Sequence, residues 1–482
     1  MEKESTLDPK DWEASRKLAH QVVDELYDYQ QTLRDRPVWQ PIPASVIDTF
    51  NEGVPRMAVG EDRAYQEFKD NILYHPMGNL HPRFWGWVMG NGIPFAALAD
   101  YMAAVMNPNM GGGEHVANYV ERQVINWCKE MVGFPADSSG VLVSGGSMAN
   151  LIGLTVARNQ MAGIDVRQEG LQGITQKMTV YSSTETHSSN YKAVELLGIG
   201  KEWLRFIPVN DCYQVDIPAL EKKIAEDRAA GYRPICIIGN AATTNTGAFD
   251  DLESLANICE RESMWFHVDG AFGALAALTD TSKQLVRGME RADSLAFDLH
   301  KFMYMPFEVA CVLIRNFDDH IGAFSASPDY LSHMPRGLAG GHQAWFGDLG
   351  PQLTRGFRAL KVWMALKAYG LDSFTRQIQK NIDQARYLAE KISSTAHLEL
   401  LADAPFNVVC FRFNNCLYTD QGLNELNQEI LLRLHERGLA VPSYTRLQGR
   451  FAIRVCITNH RTTSEDLDFL VRQVLEIARE IH

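Results

Sequence analysis

The sequence predicts an α/β protein: a mainly parallel sheet covered by helices on both faces, followed by a smaller α+β domain. Two observations predict it. From about residue 95 onward, short apolar runs at 141–143, 179–182, 235–239 and 265–268 alternate with helical stretches at 150–158, 216–229 and 252–261. Strands that alternate with helices pair in parallel, because each helix carries the chain back to the starting edge of the sheet. After a long helix expected over 353–369 and stopped by Gly370, the pattern changes to helix, strand, helix, strand, helix.

The N-terminal stretch is different again. Asp8-Pro9 reads as a helix start, and Trp12, Leu18, Val22, Leu26, Tyr29 and Leu33 follow at helical spacing. Pro37, Pro41 and Pro43 must break that helix. These helices have little core of their own and need a surface to pack on, with a partner subunit as one candidate. The chain thus divides into a helical arm and dimerisation segment (1–94), a large domain (95–370) and a small α+β domain (371–482). There are no internal repeats, and Gly111-Gly112-Gly113 reads as the most flexible internal point.

Composition narrows the function classes. A chain of 482 residues is too long for one core. With 46% hydrophobic and 22% charged residues it is an ordinary globular composition. The formal net charge of -13 disfavours non-specific binding to nucleic acid or to an anionic membrane. Eight scattered cysteines without a CxxC pair read as reduced thiols, with neither a disulfide framework nor a metal site. The sequence shows no secretory signal and no membrane-length apolar run, so the cytoplasm is the expected compartment.

Three motifs carry chemistry. Ser144-Gly145-Gly146-Ser147 follows a strand and opens a helix, where glycines and free backbone N–H groups can cradle a phosphate. It lacks the spacing of dinucleotide or P-loop motifs. Trp265-Phe266-His267-Val268-Asp269-Gly270-Ala271 ends an apolar strand on a carboxylate, and ligands of open α/β sheets bind beyond such ends. A carboxylate there can keep a pyridine nitrogen protonated, and the small Gly270 and Ala271 leave room for a flat ring. Asp298-Leu299-His300-Lys301 supplies a lysine able to bond an aldehyde cofactor. Each motif alone also has a plain structural reading, as a steric turn, a helix cap or a surface lysine.

In this order the motifs resemble the group II pyridoxal-phosphate (PLP) dependent amino-acid decarboxylases, in their aromatic-L-amino-acid decarboxylase-like form. The resemblance runs from about residue 10 to the end. It is also carried by His81-Pro82-Arg83-Phe84, Val120-Glu121 through Gly133-Phe134-Pro135, and Thr186-His187-Ser188-Ser189. It implies PLP fold type I, the aspartate-aminotransferase-like fold, with a seven-stranded sheet and a homodimer sharing its active sites. It also implies that Lys301 bonds the cofactor and that Asp269 pairs with its ring nitrogen. His187 is expected to stack on the ring face opposite Ala271. Gly146, Ser147 and His300 would hold the phosphate, Asp298 would help anchor the cofactor, and Thr244 would approach the ring's 3-oxygen or the neighbouring carboxylate. Arg454 would contact the substrate α-carboxylate.

After CO2 leaves, Cα needs a proton, so a positioned acid is required. Tyr330 lies in a stretch that reads as a long mobile loop and resembles the family's catalytic loop, whose tyrosine donates that proton. The tyrosine favours an amine product over an aldehyde. Leu299 and Phe302 stand where a proline and a tryptophan are frequent, and Thr354 stands at a position linked to ring choice. Trp85, Trp87 and Val88 suggest an apolar pocket suited to an aromatic side chain, and His115 is a further candidate for its lining. The expected activity is decarboxylation of an aromatic L-amino acid of the Trp, Tyr, Phe or DOPA type. The alternatives are an aromatic aldehyde synthase, a decarboxylase of glutamate, aspartate or cysteine sulfinate, and a non-enzymatic PLP-binding protein.

Overall fold

Twelve strands form two sheets in the computed structural model, which describes residues 5–326, 334–340, 344–415 and 417–481. In chain order the strands are β1 (Phe84–Trp85), β2 (Ser139–Val143), β3 (Met178–Ser183), β4 (Leu204–Ile207), β5 (Arg233–Asn240) and β6 (Trp265–Asp269). They continue with β7 (Ser294–Asp298), β8 (Ala310–Ile314), β9 (Leu398–Leu400), β10 (Val408–Phe413), β11 (Val441–Leu447) and β12 (Arg450–Cys456).

The larger sheet has seven strands in the order β2-β8-β7-β6-β5-β3-β4. Strands β7, β6, β5, β3 and β4 are parallel, whereas β8 is antiparallel to both of its neighbours. Two antiparallel steps restore direction, so β2 runs parallel to β7. The C-terminal ends of β2, β5, β6 and β7 therefore leave the sheet at one edge, and that edge carries the motifs. Strands β2, β6, β7 and β8 are buried along their whole length, as both faces of a helix-covered sheet require. The helix Gly146–Met161 packs across β5 to β8 on one face.

The smaller sheet has the order β1-β11-β12-β10-β9. Each of the two strands expected in the tail is in fact a pair. Strands β11 and β12 form a hairpin whose turn, Gln448-Gly449, has both residues at positive φ, the geometry that matches the twist of the flanking strands. The N-terminal part of the chain supplies β1, which pairs in parallel with β11. A core of its own, including Phe411, Ile453 and Leu470, fills the space between this sheet and its helices.

Three local expectations change. The first helix spans Trp12–Gln31, and its cap is Asp11, whose carboxylate accepts the Glu13 and Ala14 N–H groups at 3.0 and 3.1 Å; Asp8-Pro9 precedes it. The helix expected from residue 353 begins at Ala359. Residues 353–355 instead run beside 109–111, with Arg355 N–H on Asn109 Oδ1 and Met110 N–H on the Arg355 carbonyl. That contact also explains the glycine run, which is packed where flexibility was expected. A Cβ on Gly111 would lie 1.9 Å from the Leu353 oxygen.

Candidate active site

The three motifs converge at the common edge of the large sheet. Asp269 ends β6 and Asp298 ends the adjacent β7, with Asp269 in register with Ala296. The turn after β2 brings Gly145 and Gly146 against them. A Cβ on Gly146 would sit 3.1 Å from Asp298 Oδ2 and 3.6 Å from the Ala271 methyl, so this turn closes tightly over both. The helix that starts at Gly146 has no side-chain cap, which leaves its first backbone N–H groups open to an anion.

Lys301 sits on the short helix Leu299–Phe302, and its Nζ lies 2.7 Å from Asp298 Oδ2. The other oxygen, Asp298 Oδ1, is buried without a partner. His300 Nδ1 accepts the Val309 N–H at 3.2 Å, so a neutral His300 carries its proton on Nε2. Burial pushes this imidazole below its ordinary pKa, which keeps it neutral near pH 7.

Asp269 is held as an oriented carboxylate. Its Oδ2 accepts the side-chain amides of Asn150 and Asn190, both at 2.9 Å, and its Oδ1 accepts the Ala271 N–H at 3.2 Å. His187 caps the helix Ser188–Leu196, with Nδ1 accepting the Ser189 N–H at 3.2 Å. Burial lowers the His187 pKa, the Asp269 charge opposes that shift, and the Lys301 charge adds to it; the three groups share one environment.

Arg454 on β12 reaches the same region from the small sheet. It is 2% exposed. Its Nε donates to the carbonyls of Thr244 and Asn245 at 2.7 and 3.1 Å, and its Nη1 donates to the Trp87 carbonyl at 2.7 Å. Its Nη2 is buried with no partner. Trp87 has a φ of 50° and is exposed, whereas Val88 belongs to the buried core. Two residues further on, Gly90 lies so close to the His300 carbonyl that a Cβ would fall 1.5 Å from it. The segment 87–90 thus bridges Arg454 and Lys301.

The remaining candidates are scattered, and only Ser147 adjoins the turn at Gly146. His115 Nε2 contacts the Asn109 carbonyl at 3.3 Å and lines a groove of about 410 Å³ with Gly112, Gly113, Leu338 and Trp345. Thr354 is exposed on the strip that runs beside Gly111. Ser147 is exposed in the first turn of its helix. Tyr330 lies outside the described residues. The sequence reading missed Asn150, Asn190 and Ser189, which surround Asp269 and His187. Asn150 lies three residues after the glycine motif, and the other two directly follow His187 and Ser188. Their signal was only proximity in sequence to the motifs.

A family model described as the pyridoxal-dependent decarboxylase conserved domain matches residues 43–414. The chain belongs to this family. Among curated proteins, it is 33% identical to the aromatic-L-amino-acid decarboxylase of Bacillus atrophaeus, over 97% of this chain and 96% of that protein. It is 27% identical to phenylacetaldehyde synthase of Arabidopsis thaliana, over 94% of this chain and 93% of that protein. Among solved structures, Oryza sativa TDC with PLP and tryptamine superposes with a TM-score of 0.91 at 23% identity, covering 99% of this chain and 100% of that one. The fold is that of PLP fold type I, as expected. The protein is a carboxy-lyase that acts on an amino acid and uses pyridoxal phosphate.

The residues at the sheet edge fit that cofactor. An aldehyde partner is present in Lys301 and an anion site in the uncapped turn at Gly146. A hydrogen-bonded carboxylate stands at Asp269, and the unpartnered Asp298 Oδ1 and Arg454 Nη2 leave polar capacity unused in the protein alone.

Proposed function

We propose that this decarboxylase converts an aromatic L-amino acid to its amine and CO2. The observation that carries the reading is the Arg454 clamp. Three backbone carbonyls fix the guanidinium so that Nη2 stays open, and one of those carbonyls belongs to Trp87, whose indole is exposed. A carboxylate bound at Nη2 gains a charge-assisted hydrogen bond, and the side chain beside it meets an aromatic surface. The likeness to the bacterial aromatic decarboxylase supports the same choice.

In this reading Lys301 supplies the amine that bonds the cofactor aldehyde. Gly146, Ser147 and the Nε2–H of His300 hold the phosphate, and Asp298 orients Lys301. Asp269 would keep the ring nitrogen protonated, His187 and Ala271 would flank the ring, and Thr244 would approach its 3-oxygen. Bound there, pyridoxal phosphate supplies an electron-accepting ring that takes up the pair left when CO2 departs. The protein then selects the bond that breaks: Arg454 fixes the α-carboxylate, and Trp87 and Val88 limit rotation of the side chain. His115 and Thr354 remain further candidates to meet the substrate side chain. Tyr330 donates the proton to Cα.

We further infer a homodimer. The N-terminal arm and the helix Pro94–Met106 expose Trp12, Ile47, Phe50 and Val105, each more than half accessible, which is an apolar load that association would cover. The seven described cysteines are unpaired, in keeping with a reducing compartment such as the cytoplasm. Among the described residues, no helix is long and apolar enough to cross a membrane.

The test incubates the holoenzyme with L-Trp, L-Tyr, L-Phe, L-DOPA and L-Glu, and measures CO2, amine, aldehyde and peroxide together. Amine equal to CO2 from an aromatic substrate is the expected result. Aldehyde with peroxide overturns the role given to Tyr330, and turnover of L-Glu alone overturns the aromatic assignment. Sedimentation at micromolar concentration reads the dimer, with a monomer as the contrary outcome.

A further inference from the structure

A chain of polar side chains, buried from Trp265 to Ser189 and ending on the exposed His187, passes through Asn150, which also bonds Asp269. Trp265 Nε1 donates to Ser294 Oγ at 2.8 Å, and Ser294 Oγ lies 2.8 Å from His267 Nδ1. His267 Nε2 lies 3.0 Å from Asn150 Oδ1. Asn150 Nδ2 then donates to Asp269 Oδ2 at 2.9 Å and to Ser189 Oγ at 3.0 Å, and Ser189 Oγ lies 2.8 Å from His187 Nδ1. His267 is 0% exposed and Asn150 is 1% exposed.

The proton positions follow from the carboxylate end. An ionised Asp269 only accepts, so Asn150 must turn its NH2 group toward it. Asn150 Oδ1 then faces His267 and needs a donor, which fixes the His267 proton on Nε2. Burial pushes this imidazole down to about 4, so it is neutral near pH 7 and its Nδ1 is bare. Nδ1 takes the Ser294 hydroxyl proton, and Ser294 Oγ takes the N–H of Trp265, a side chain that can only donate. From Trp265 to Asn150, every donor points toward Asp269. The same amide group of Asn150 occupies Ser189 Oγ as an acceptor, so the Ser189 proton goes to His187 Nδ1 and the His187 proton sits on Nε2. Room for the imidazole is built in: Gly153, inside the helix Gly146–Met161, faces it, and a Cβ there would lie 2.8 Å from the ring.

We infer that His267 is a positioning residue for the cofactor: through Asn150 it sets the hydrogen-bond direction that presents Asp269 to the ring nitrogen and His187 to the ring face. Without the Nε2 donor, the buried Asn150 oxygen loses its partner, and only Asp269 Oδ2 and Ser189 Oγ are left to orient the amide. The inference rests on the reading above that Asp269 meets the ring nitrogen.

The test compares His267→Gln with His267→Asn. The glutamine amide reaches the place of Nε2 and can donate to Asn150. The asparagine amide fills only the place of Nδ1. Both are polar and of similar size, so a purely structural role lowers the thermal midpoint of both and leaves cofactor binding by the folded protein alike. Cofactor is removed and restored by titration with PLP, reading the dissociation constant and the visible circular dichroism of the bound cofactor. The expected result is glutamine close to wild type, and asparagine weakened by roughly 10-fold or more with an altered dichroism band. Equal affinity and equal dichroism in the two variants overturn the inference. Should neither variant fold, Ser294→Ala carries the test, since it removes the donor to Nδ1. Weaker cofactor binding then supports the inference, and unchanged binding and dichroism overturn it. Asp269→Ala separates the two levels: unchanged affinity and dichroism in that variant would remove the assignment of Asp269 itself, whereas a loss there beside equal His267 variants removes only the role of His267.

Discussion

Lys301 Nζ and Asp298 Oδ2 stand 2.7 Å apart, with the carboxylate buried at the end of β7 and the amine one short helical turn beyond it. The carboxylate holds the amine at the sheet edge. Lys301→Ala is expected to yield folded protein that releases its cofactor on gel filtration and loses more than about 10³-fold in kcat. Asp298→Asn keeps the size and removes the charge, so cofactor affinity is expected to fall while Lys301 remains. A Lys301→Ala variant that retains visible cofactor absorbance after filtration would contradict the assignment.

Arg454 keeps one buried guanidinium nitrogen without a partner in the protein, which the proposed function gives to the substrate carboxylate. A hydrogen bond to a charged group contributes about 1.5–3 kcal/mol, so Arg454→Lys is expected to lower kcat/KM by roughly 10- to 150-fold. Lysine cannot keep all three carbonyls and still face the substrate. Steady-state rates on the preferred amino acid measure this, and a kcat/KM within twofold of wild type would place the substrate carboxylate elsewhere.

His320 makes stability depend on acid. It is fully buried between Ser139 Oγ at 2.8 Å and the Leu349 carbonyl at 2.8 Å, and burial pushes its pKa down to about 4. The unfolded chain binds a proton near the ordinary histidine value of about 6.5, before the folded chain does. Stability from this group is therefore complete above about 6.5 and is lost as pH falls toward 4, by about 3 kcal/mol at most. Thermal midpoints between pH 7 and 4 are expected to fall less steeply in His320→Gln than in wild type. Parallel curves would show that His320 is not among the groups that protonate on unfolding.

Glu121 and Arg355 form a buried ion pair, and Arg355 also donates to the carbonyls of Met110 and Leu142 at 2.9 and 2.6 Å. Removing one partner leaves the other charged and buried. Glu121→Ala is expected to cost about 3–5 kcal/mol in urea unfolding, whereas exposed pairs such as Arg16 with Glu13 contribute under about 1 kcal/mol. A loss below about 1 kcal/mol for Glu121→Ala would mean that water reaches Arg355.

Strands β2, β5 and β6 were legible as short apolar runs, and β6 ends on a distinctive polar group at Asp269, whereas β7, which ends on Asp298 ahead of Lys301, was not read as a strand. The glycine turn was legible as a motif, but its tight closure over Asp298 was not, since that depends on β2 and β7 being brought together across β8. Strand β8, Ala310–Ile314, went unread because a five-residue apolar run carries no period. The true start of the helix at Ala359 was hidden by Arg355, whose inward turn depends on Glu121, far away in sequence. His267 was quoted within its motif without a role. Its partners come from Asn150 and Ser294, and no local pattern announces them.

The segment 84–90 ties together parts of the molecule that must act in concert. Its start, β1, pairs with β11; its middle binds Arg454 through the Trp87 carbonyl; its end, at Gly90, leans on the His300 carbonyl. This has a consequence for recombining relatives of this enzyme. The small α+β domain is not an exchangeable cassette, because Arg454 is registered by the Trp87 carbonyl, 367 residues earlier in the sequence. A chimera is expected to keep activity only when 84–90 travels with 441–456, and to lose it when the two are drawn from different parents.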